Sequence, residues 1–197
     1  ASRAVLQVSQ GLVALLARVV PAPRATAYFF VTLSLVPLLG SFITEPAAMT
    51  LAALILRDGY YAQPISNRLK YAALGVLFVN VSIGGVMTPY AAPPVLMVAN
   101  TWGWDIGFMM SHFGWRAAIA VVVNASVLTF LFRRELGVLT LDASAAATER
   151  VPGLLVFWHL ALLTGVVVFA HEAPVFLGLL LLFLAIAEAY PQHQNKL

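Results

Sequence analysis

Residues 77–100 read LFVNVSIGGVMTPYAAPPVLMVAN, an apolar segment that is interrupted in its middle. Helix-breaking and small polar residues crowd the interruption: Ser82, Gly84, Gly85, Thr88, Pro89, Pro93 and Pro94. An interior glycine disfavours a helix by about 1 kcal/mol and an interior proline by about 3 kcal/mol. Because unpaired backbone groups are costly in hydrocarbon, such a break survives in a membrane only where it is buried in protein or lines a cavity. The segment therefore predicts a broken transmembrane helix, an element with which transporters bind ions and substrates.

The composition also indicates a membrane protein. Hydrophobic residues make up 61% of the chain and charged residues 10%, and the mean hydropathy is +0.92. A soluble domain has about 25% charged residues. The net charge is +3, but the basic residues stand singly between apolar runs, which argues against a nucleic-acid-binding face. With no cysteine, four scattered histidines and no nucleophile or phosphate-binding motif, the sequence predicts no enzyme.

Apolar runs predict six membrane-associated segments and one polar linker. The segments are 4–20, 26–56, 71–100, 106–132, 152–170 and 174–190, and the linker is 139–150. Polar residues interrupt 4–20, which favours an amphipathic helix at the membrane interface. The 26–56 segment is broken at 40–46, where the sequence is GSFITEP.

Basic residues decide how the 26–56 segment crosses the membrane. They lie on both sides of it: Arg18 and Arg24 before, and Arg57, Arg68 and Lys70 after. A single crossing would put these flanks on opposite faces, whereas a re-entrant hairpin turning at 40–46 keeps them on one face, as the positive-inside rule requires. Each arm of about fifteen residues would reach about 22 Å, short of a core of about 30 Å. This topology predicts an integral membrane protein with 18–24, 57–70 and 133–150 cytoplasmic, and the resemblance given below implies a bacterial inner membrane.

The hairpin tip contains candidate ion-binding residues Ser41, Thr44 and Glu45. Thr44 or Glu45 is expected to cap the second arm, with Pro46 in its first turn. The same three residues, Thr-Glu-Pro, are equally typical of an ordinary helix start. A carboxylate at bilayer depth costs at least about 2.5–3.5 kcal/mol, so a functional role for Glu45 is the default there. Competition between a proton and Na⁺ for Glu45 would be the simplest antiport chemistry.

The second break supplies further oxygen atoms. Gly84 and Gly85 allow close backbone approach and open their carbonyls, and Asn80, Ser82 and Thr88 add side-chain oxygens. Na⁺ is expected at Thr44, Asn80, Gly84 and Thr88. No resident cofactor is expected, since Na⁺ and H⁺ are cargo. A kinked and tightly packed span is the alternative explanation for this stretch.

Several stretches resemble known transporters. SIGGVMTPYAAPPVLMVA (82–99) resembles the broken helix of the ion transporter superfamily, which includes Na⁺/H⁺ antiporters, arsenite pumps, citrate carriers and divalent-anion/Na⁺ symporters. The stretches GSFITEPAAMTLAALILRD (40–58), RLKYAALGVLFVNVSIGG (68–85), WGWD (102–105) and FGWRAA (113–118) resemble a bacterial family of Na⁺/H⁺ antiporters. The related symporters carry a Ser-Asn-Thr type of tip. The Thr-Glu-Pro tip of this chain argues against a dicarboxylate site.

The resemblance implies an all-α membrane protein built as half of an inverted-repeat transporter. In that superfamily each repeat contributes a re-entrant hairpin and a broken helix, and the site forms where they meet. By resemblance, Ser41, Thr44 and Glu45 belong to the hairpin tip, and Asn80, Ser82, Gly84, Gly85 and Thr88 to the broken helix. Residues 1–138 would form the first transport repeat, 139–150 a linker and 151–197 two scaffold spans.

The expected partners follow from this layout. Besides the lipid bilayer, the chain is expected to need a second repeat, in the same full-length protein or in another chain. A homodimer of complete transporters is compatible with this, and no nucleic acid is expected. The expected function is Na⁺/H⁺ exchange as part of a larger transporter. The alternatives are a Na⁺-coupled anion or organic-acid carrier and a membrane subunit that does not transport. The absence of arginine at either break favours a cation.

Overall fold

The protein is described from a computed structural model that covers residues 3–140, 152–168 and 173–189. Over these ranges the chain is helical and contains no β-strand. It divides into two compact units, one of residues 11–146 and one that combines 1–10 with 147–197. The predicted domain boundaries at 138 and 151 stay a prediction, and residues 141–150 of the predicted linker lie outside the described ranges.

Helices α2 (Arg24–Ile43) and α3 (Glu45–Leu56) form a helical hairpin in the larger unit. A π-helical turn, Arg57–Tyr61, follows α3. The hydroxyl of Tyr60 donates to the carbonyl of Ala25 at 2.6 Å, and its ring meets the ring of Phe29 edge-on at 5.1 Å. After α3 the chain therefore returns to the N-terminal end of α2.

The turn of this hairpin is sharper than the sequence predicted. Only Thr44 separates the two helices, whereas a break over 40–46 was expected. Gly40 and Ser41 stay helical because the arms pack tightly there: a Cβ on Gly40 would lie 3.1 Å from the Cβ of Ala48. The predicted arm of fifteen residues is wrong for α2, which has 20 residues and spans about 30 Å at 1.5 Å per residue.

The predicted broken helix consists of α4 (Asn67–Gly84), a 3₁₀ turn (Gly85–Met87) and α5 (Pro93–Trp102). Helix α4 begins four residues earlier than predicted, because Ser66 caps it by accepting from the Leu69 amide at 3.1 Å. Glu135 holds this start in place by accepting from the Ser66 hydroxyl at 2.9 Å.

The third long stretch runs from α6 (Ile106–Met109) through a π-helical turn (Met110–Gly114) into α7 (Trp115–Leu131). Asp105 caps its start by accepting from the Phe108 amide at 2.7 Å. A short helix, α8 (Arg133–Gly137), follows. Within the described ranges, three stretches are long and apolar enough to cross a membrane: Arg24–Ile43, Asn67–Met87 and Ile106–Leu131.

The contacts within the 11–146 unit bring six of its basic residues to one end. Ala25 contacts Tyr60, the Tyr61 hydroxyl donates to the carbonyl of Lys70 at 3.2 Å, and Ser66 contacts Glu135. The basic residues near these contacts are Arg24, Arg57, Arg68, Lys70, Arg133 and Arg134. This end is called the basic end below. Helices α2 and α4 run away from it side by side, and α7 returns towards it.

The smaller unit contains α9 (Gly153–Val168) and α10 (Ala173–Ala189). The two helices pack together, with Leu155 buried against Val156 and Ile186. His159 is buried, and its Nδ1 lies 2.7 Å from the carbonyl oxygen of Leu155. Helix α1 (Arg3–Ala17) is apolar, and its place at a membrane interface stays a prediction.

Candidate functional site at two helix breaks

The hairpin tip and the broken helix meet, and Ser41 joins them. The Ser41 hydroxyl donates to the carbonyl of Gly84 at 2.5 Å and accepts from the Met87 amide at 3.0 Å. The Thr88 hydroxyl donates to the carbonyl of Ser41 at 2.6 Å. Ser41 is 0% exposed and Thr88 is 1% exposed, so these bonds lie inside the protein. The place where Ser41, Thr44 and Glu45 meet Gly84–Thr88 is called the crossing below.

Two glycines make this close approach possible. A Cβ on Gly84 would overlap the carbonyl of Pro37 in α2, and a Cβ on Gly85 would lie 2.8 Å from Cγ of Glu45. Contacts under 3.0 Å are essentially never seen for real Cβ atoms. Gly84 therefore requires glycine, because its neighbour is backbone, whereas a Cβ at Gly85 would have to displace the Glu45 side chain, which rests directly against the backbone of the broken helix.

Glu45 has no cationic partner among the described residues. The ion pair among the described residues joins Arg57 to Asp58 at 2.7 Å and lies at the basic end, away from Glu45. The Glu45 carboxylate is partly buried and makes no side-chain hydrogen bond or ion pair among the described residues. An unpaired carboxylate held beside opened backbone carbonyls is suited to bind a proton or a hard cation.

Thr44 adopts an unusual backbone conformation, with φ 103° and ψ 150°. This region is essentially restricted to glycine and costs about 1–3 kcal/mol for other residues, and such residues cluster at functional sites. The prediction that Thr44 or Glu45 caps α3 is wrong, because no side chain makes that hydrogen bond. An N-cap residue that makes this hydrogen bond typically has β-region backbone angles. Thr44 has a positive φ instead, which reverses the chain between α2 and α3. Pro46 does lie in the first turn of α3, as predicted.

Asn80 lies outside the crossing. Its buried amide nitrogen donates to the carbonyls of Leu33 at 2.8 Å and Val121 at 3.2 Å, and its oxygen accepts from Asn124 at 3.0 Å. Pro37 explains the first bond: it has no N–H, so the Leu33 carbonyl four residues earlier lacks its helical partner. Asn80 supplies the missing donor from the neighbouring helix.

The sequence analysis missed the parts played by Pro37 and Asn124. The signals were present: a proline inside an apolar span frees a known carbonyl, and an asparagine inside an apolar span needs a partner. Ser82 is also outside the crossing, since it is exposed on another face of α4. Of the eight predicted residues, the structure brings Ser41, Glu45, Gly84, Gly85 and Thr88 into contact, and Thr44 is exposed next to Glu45 in the chain.

No described group of three or more His, Asp or Glu residues could hold a metal ion. Any cation at the crossing would therefore depend on a single carboxylate together with hydroxyl and carbonyl oxygens.

These observations define an all-helical class of protein over the described residues, with three stretches long and apolar enough to cross a membrane and two helix breaks in contact. The whole chain, residues 1–197, matches the protein family described as "Putative Na+/H+ antiporter", and the chain belongs to that family. No curated protein and no solved structure matches the chain. The family is one of transporters rather than enzymes, and it supports cation or proton transport in general.

Proposed function

We propose that this chain provides half of a Na⁺/H⁺ exchanger, with the crossing as its ion-binding site. The observation that carries the proposal is the bridge made by Ser41, which fixes the hairpin tip against the opened end of α4 with Glu45 beside it. A second repeat, in the same full-length protein or in another chain, would complete the site from the opposite direction.

The two outer ends of the hairpin support a re-entrant path, because both stay at the basic end. At 1.5 Å per residue, Gly84 lies about 21 Å along α4 from Lys70, and α2 spans about 30 Å. The hydrocarbon core is about 30 Å thick, so the tip would lie deep in the bilayer.

The proposed chemistry uses Glu45 as the group that changes charge. In its ionised form, Glu45 binds Na⁺ together with oxygens of Thr44, Gly84 and Thr88. The hydroxyl of Thr88 donates to the carbonyl of Ser41 and keeps its lone pairs for a cation. Protonation of Glu45 removes the negative charge and releases Na⁺. The two ions therefore compete for one carboxylate, which is the requirement for exchange. Asn80, at which the sequence predicted Na⁺, does not bind the ion in this proposal. It positions α4 against α2 and α7 through the carbonyls of Leu33 and Val121.

The crossing suits a cation better than an anion. No lysine or arginine of the described chain pairs with Glu45. The first turn of α5 contains Pro93 and Pro94, which have no N–H groups, so that helix start offers few donors to an anion. These features weigh against the alternative of an anion or organic-acid carrier.

The test is Na⁺-dependent collapse of a pH gradient in vesicles that contain the complete protein. Glu45→Gln should abolish the collapse, and Glu45→Asp should retain part of it with a changed pH profile. Glu188→Gln is the matched control, because Glu188 is an exposed carboxylate at the end of α10. Wild-type exchange by Glu45→Gln would remove Glu45 from the mechanism. If the wild-type protein shows no Na⁺/H⁺ exchange but takes up an organic acid when a Na⁺ gradient is applied, the anion-carrier alternative would be established instead.

A further inference from the structure

We propose that a cleft at the basic end of the 11–146 unit binds an anionic phospholipid. The cleft has a volume of about 330 Å³ and lies between the start of α2, the end of α7 and the segment that precedes α2. Its lining includes Val20, Thr26, Phe30, Thr129, Phe130 and Arg133. The proposal needs only that the unit lies in a membrane, and it does not depend on Na⁺/H⁺ exchange.

Two hydroxyls in this cleft lack partners. The side-chain oxygens of Thr26 and Thr129 are buried and make no hydrogen bond, and Thr26 is only 6% exposed. A threonine in a helix can usually donate to the carbonyl four residues earlier, as Thr32 does to Tyr28 at 2.8 Å. A buried donor without an acceptor is costly. A ligand that brings acceptor oxygens into the cleft would satisfy both groups.

The charge next to these hydroxyls selects an anionic ligand. Arg133 stands at the cleft with its guanidinium carbon 4.5 Å from the centre of the Phe130 ring. It is exposed and forms no ion pair within the described residues. Juxtamembrane arginines attract anionic headgroups. The guanidinium therefore provides a contact for a phosphate.

The remaining lining matches the rest of a phospholipid. Val20, Phe30 and the ring of Phe130 offer apolar surface for part of one acyl chain. Thr26 precedes Phe30 by one turn of α2, nearer the basic end, and we assign its hydroxyl and that of Thr129 to the ester carbonyls of the lipid. One molecule would thus use its phosphate, its ester oxygens and its acyl chain together.

The test is a titration of the purified complete protein, in detergent, with phosphatidylglycerol or with phosphatidylcholine of the same acyl chains. Bound lipid is counted by native mass spectrometry, and the Tm is measured in parallel. Phosphatidylglycerol should remain bound and raise the Tm, and phosphatidylcholine should do neither at the same concentration. Arg133→Gln should weaken phosphatidylglycerol binding about fivefold, the effect expected from one basic residue near a headgroup.

Arg134→Gln is the matched control, because Arg134 is the adjacent exposed arginine and does not line the cleft. It should leave binding unchanged. The double variant Thr26→Val/Thr129→Val should weaken binding while raising the Tm of the lipid-free protein, since methyl groups then replace the unpartnered hydroxyls. Ala22 also lines the cleft, so Ala22→Trp should fill it and block binding with every charge retained.

Three results would overturn the proposal. One is equal binding of the two lipids, and another is equal loss in Arg133→Gln and Arg134→Gln, because either would indicate unspecific attraction. The third is the same rise in Tm with inorganic phosphate alone, which would show that the ligand is a free anion rather than a lipid.

Discussion

Gly85 and Glu45 show how a single hydrogen atom in place of a side chain can position a charge. Because Gly85 has no Cβ, the Glu45 side chain lies against the backbone where α4 opens. The sequence indicated both residues, since a glycine pair and a lone carboxylate are conspicuous in apolar surroundings. It did not indicate that they touch, because that contact joins residues forty positions apart, one in the hairpin and one in the broken helix.

Gly85→Ala should therefore damage ion binding. The new Cβ would displace the Glu45 carboxylate, and forcing an extra methyl group into such a space costs about 1–3 kcal/mol. We expect the Na⁺ concentration for half-maximal exchange to rise about tenfold, while the protein still folds. The measurement is Na⁺-dependent exchange in vesicles at several Na⁺ concentrations.

Gly75→Ala is the control in the same helix. A Cβ at Gly75 would meet nothing within 4 Å, so the substitution should leave exchange unchanged and stabilise α4 slightly. An unchanged Na⁺ response in Gly85→Ala would contradict the contact between Gly85 and Glu45.

At the level of the helices, the broken segment was predictable and the hairpin geometry was predictable only in outline. Glycine and proline propensities placed the interruption of 77–100, and the structure has it between α4 and α5. The end of α2, and so the length of this arm, was harder to predict. Tertiary packing at Gly40 keeps this stretch helical, although its composition favours a break. The role of Asn80 could have been derived by following the carbonyl that Pro37 leaves free.

The pairing of Pro37 with Asn80 makes a prediction that separates positioning from ion binding. Asn80→Leu should destabilise the protein by about 1–3 kcal/mol, because the buried Leu33 carbonyl loses its donor. Adding Pro37→Ala restores the backbone N–H that this carbonyl lacks. The double variant should therefore recover part of the lost stability and transport, measured by Tm and by vesicle exchange.

Asn124→Leu serves as the comparison. Asn124 contacts Asn80 but not Leu33, so Pro37→Ala should not rescue its loss. If Pro37→Ala fails to rescue Asn80→Leu, and the affinity for Na⁺ falls in Asn80→Leu and in the double variant alike, Asn80 would be an ion ligand instead.

For the whole molecule, the distribution of charge and the contacts of the fold agree. The positive-inside rule required Arg24 and Arg57 on one side, and the bond from Tyr60 to Ala25 brings their neighbourhoods together. Burial raises the pKa of the Tyr60 hydroxyl well above its usual value, so this donor stays protonated at physiological pH. The depth of the hairpin in a bilayer could not be derived from these residues, because it depends on the surrounding lipid.

The most direct test of the account is the sidedness of the two ends of the hairpin. The chain has no cysteine, so Arg24→Cys and Arg57→Cys can be labelled singly with a membrane-impermeant maleimide from either side of the membrane. Thr101→Cys, exposed near the end of α5, is the control for the opposite face. The account predicts that positions 24 and 57 react only from the cytoplasmic side and position 101 only from the other side. Reaction of 24 and 57 from opposite sides would contradict a re-entrant hairpin and, with it, an ion site at the crossing.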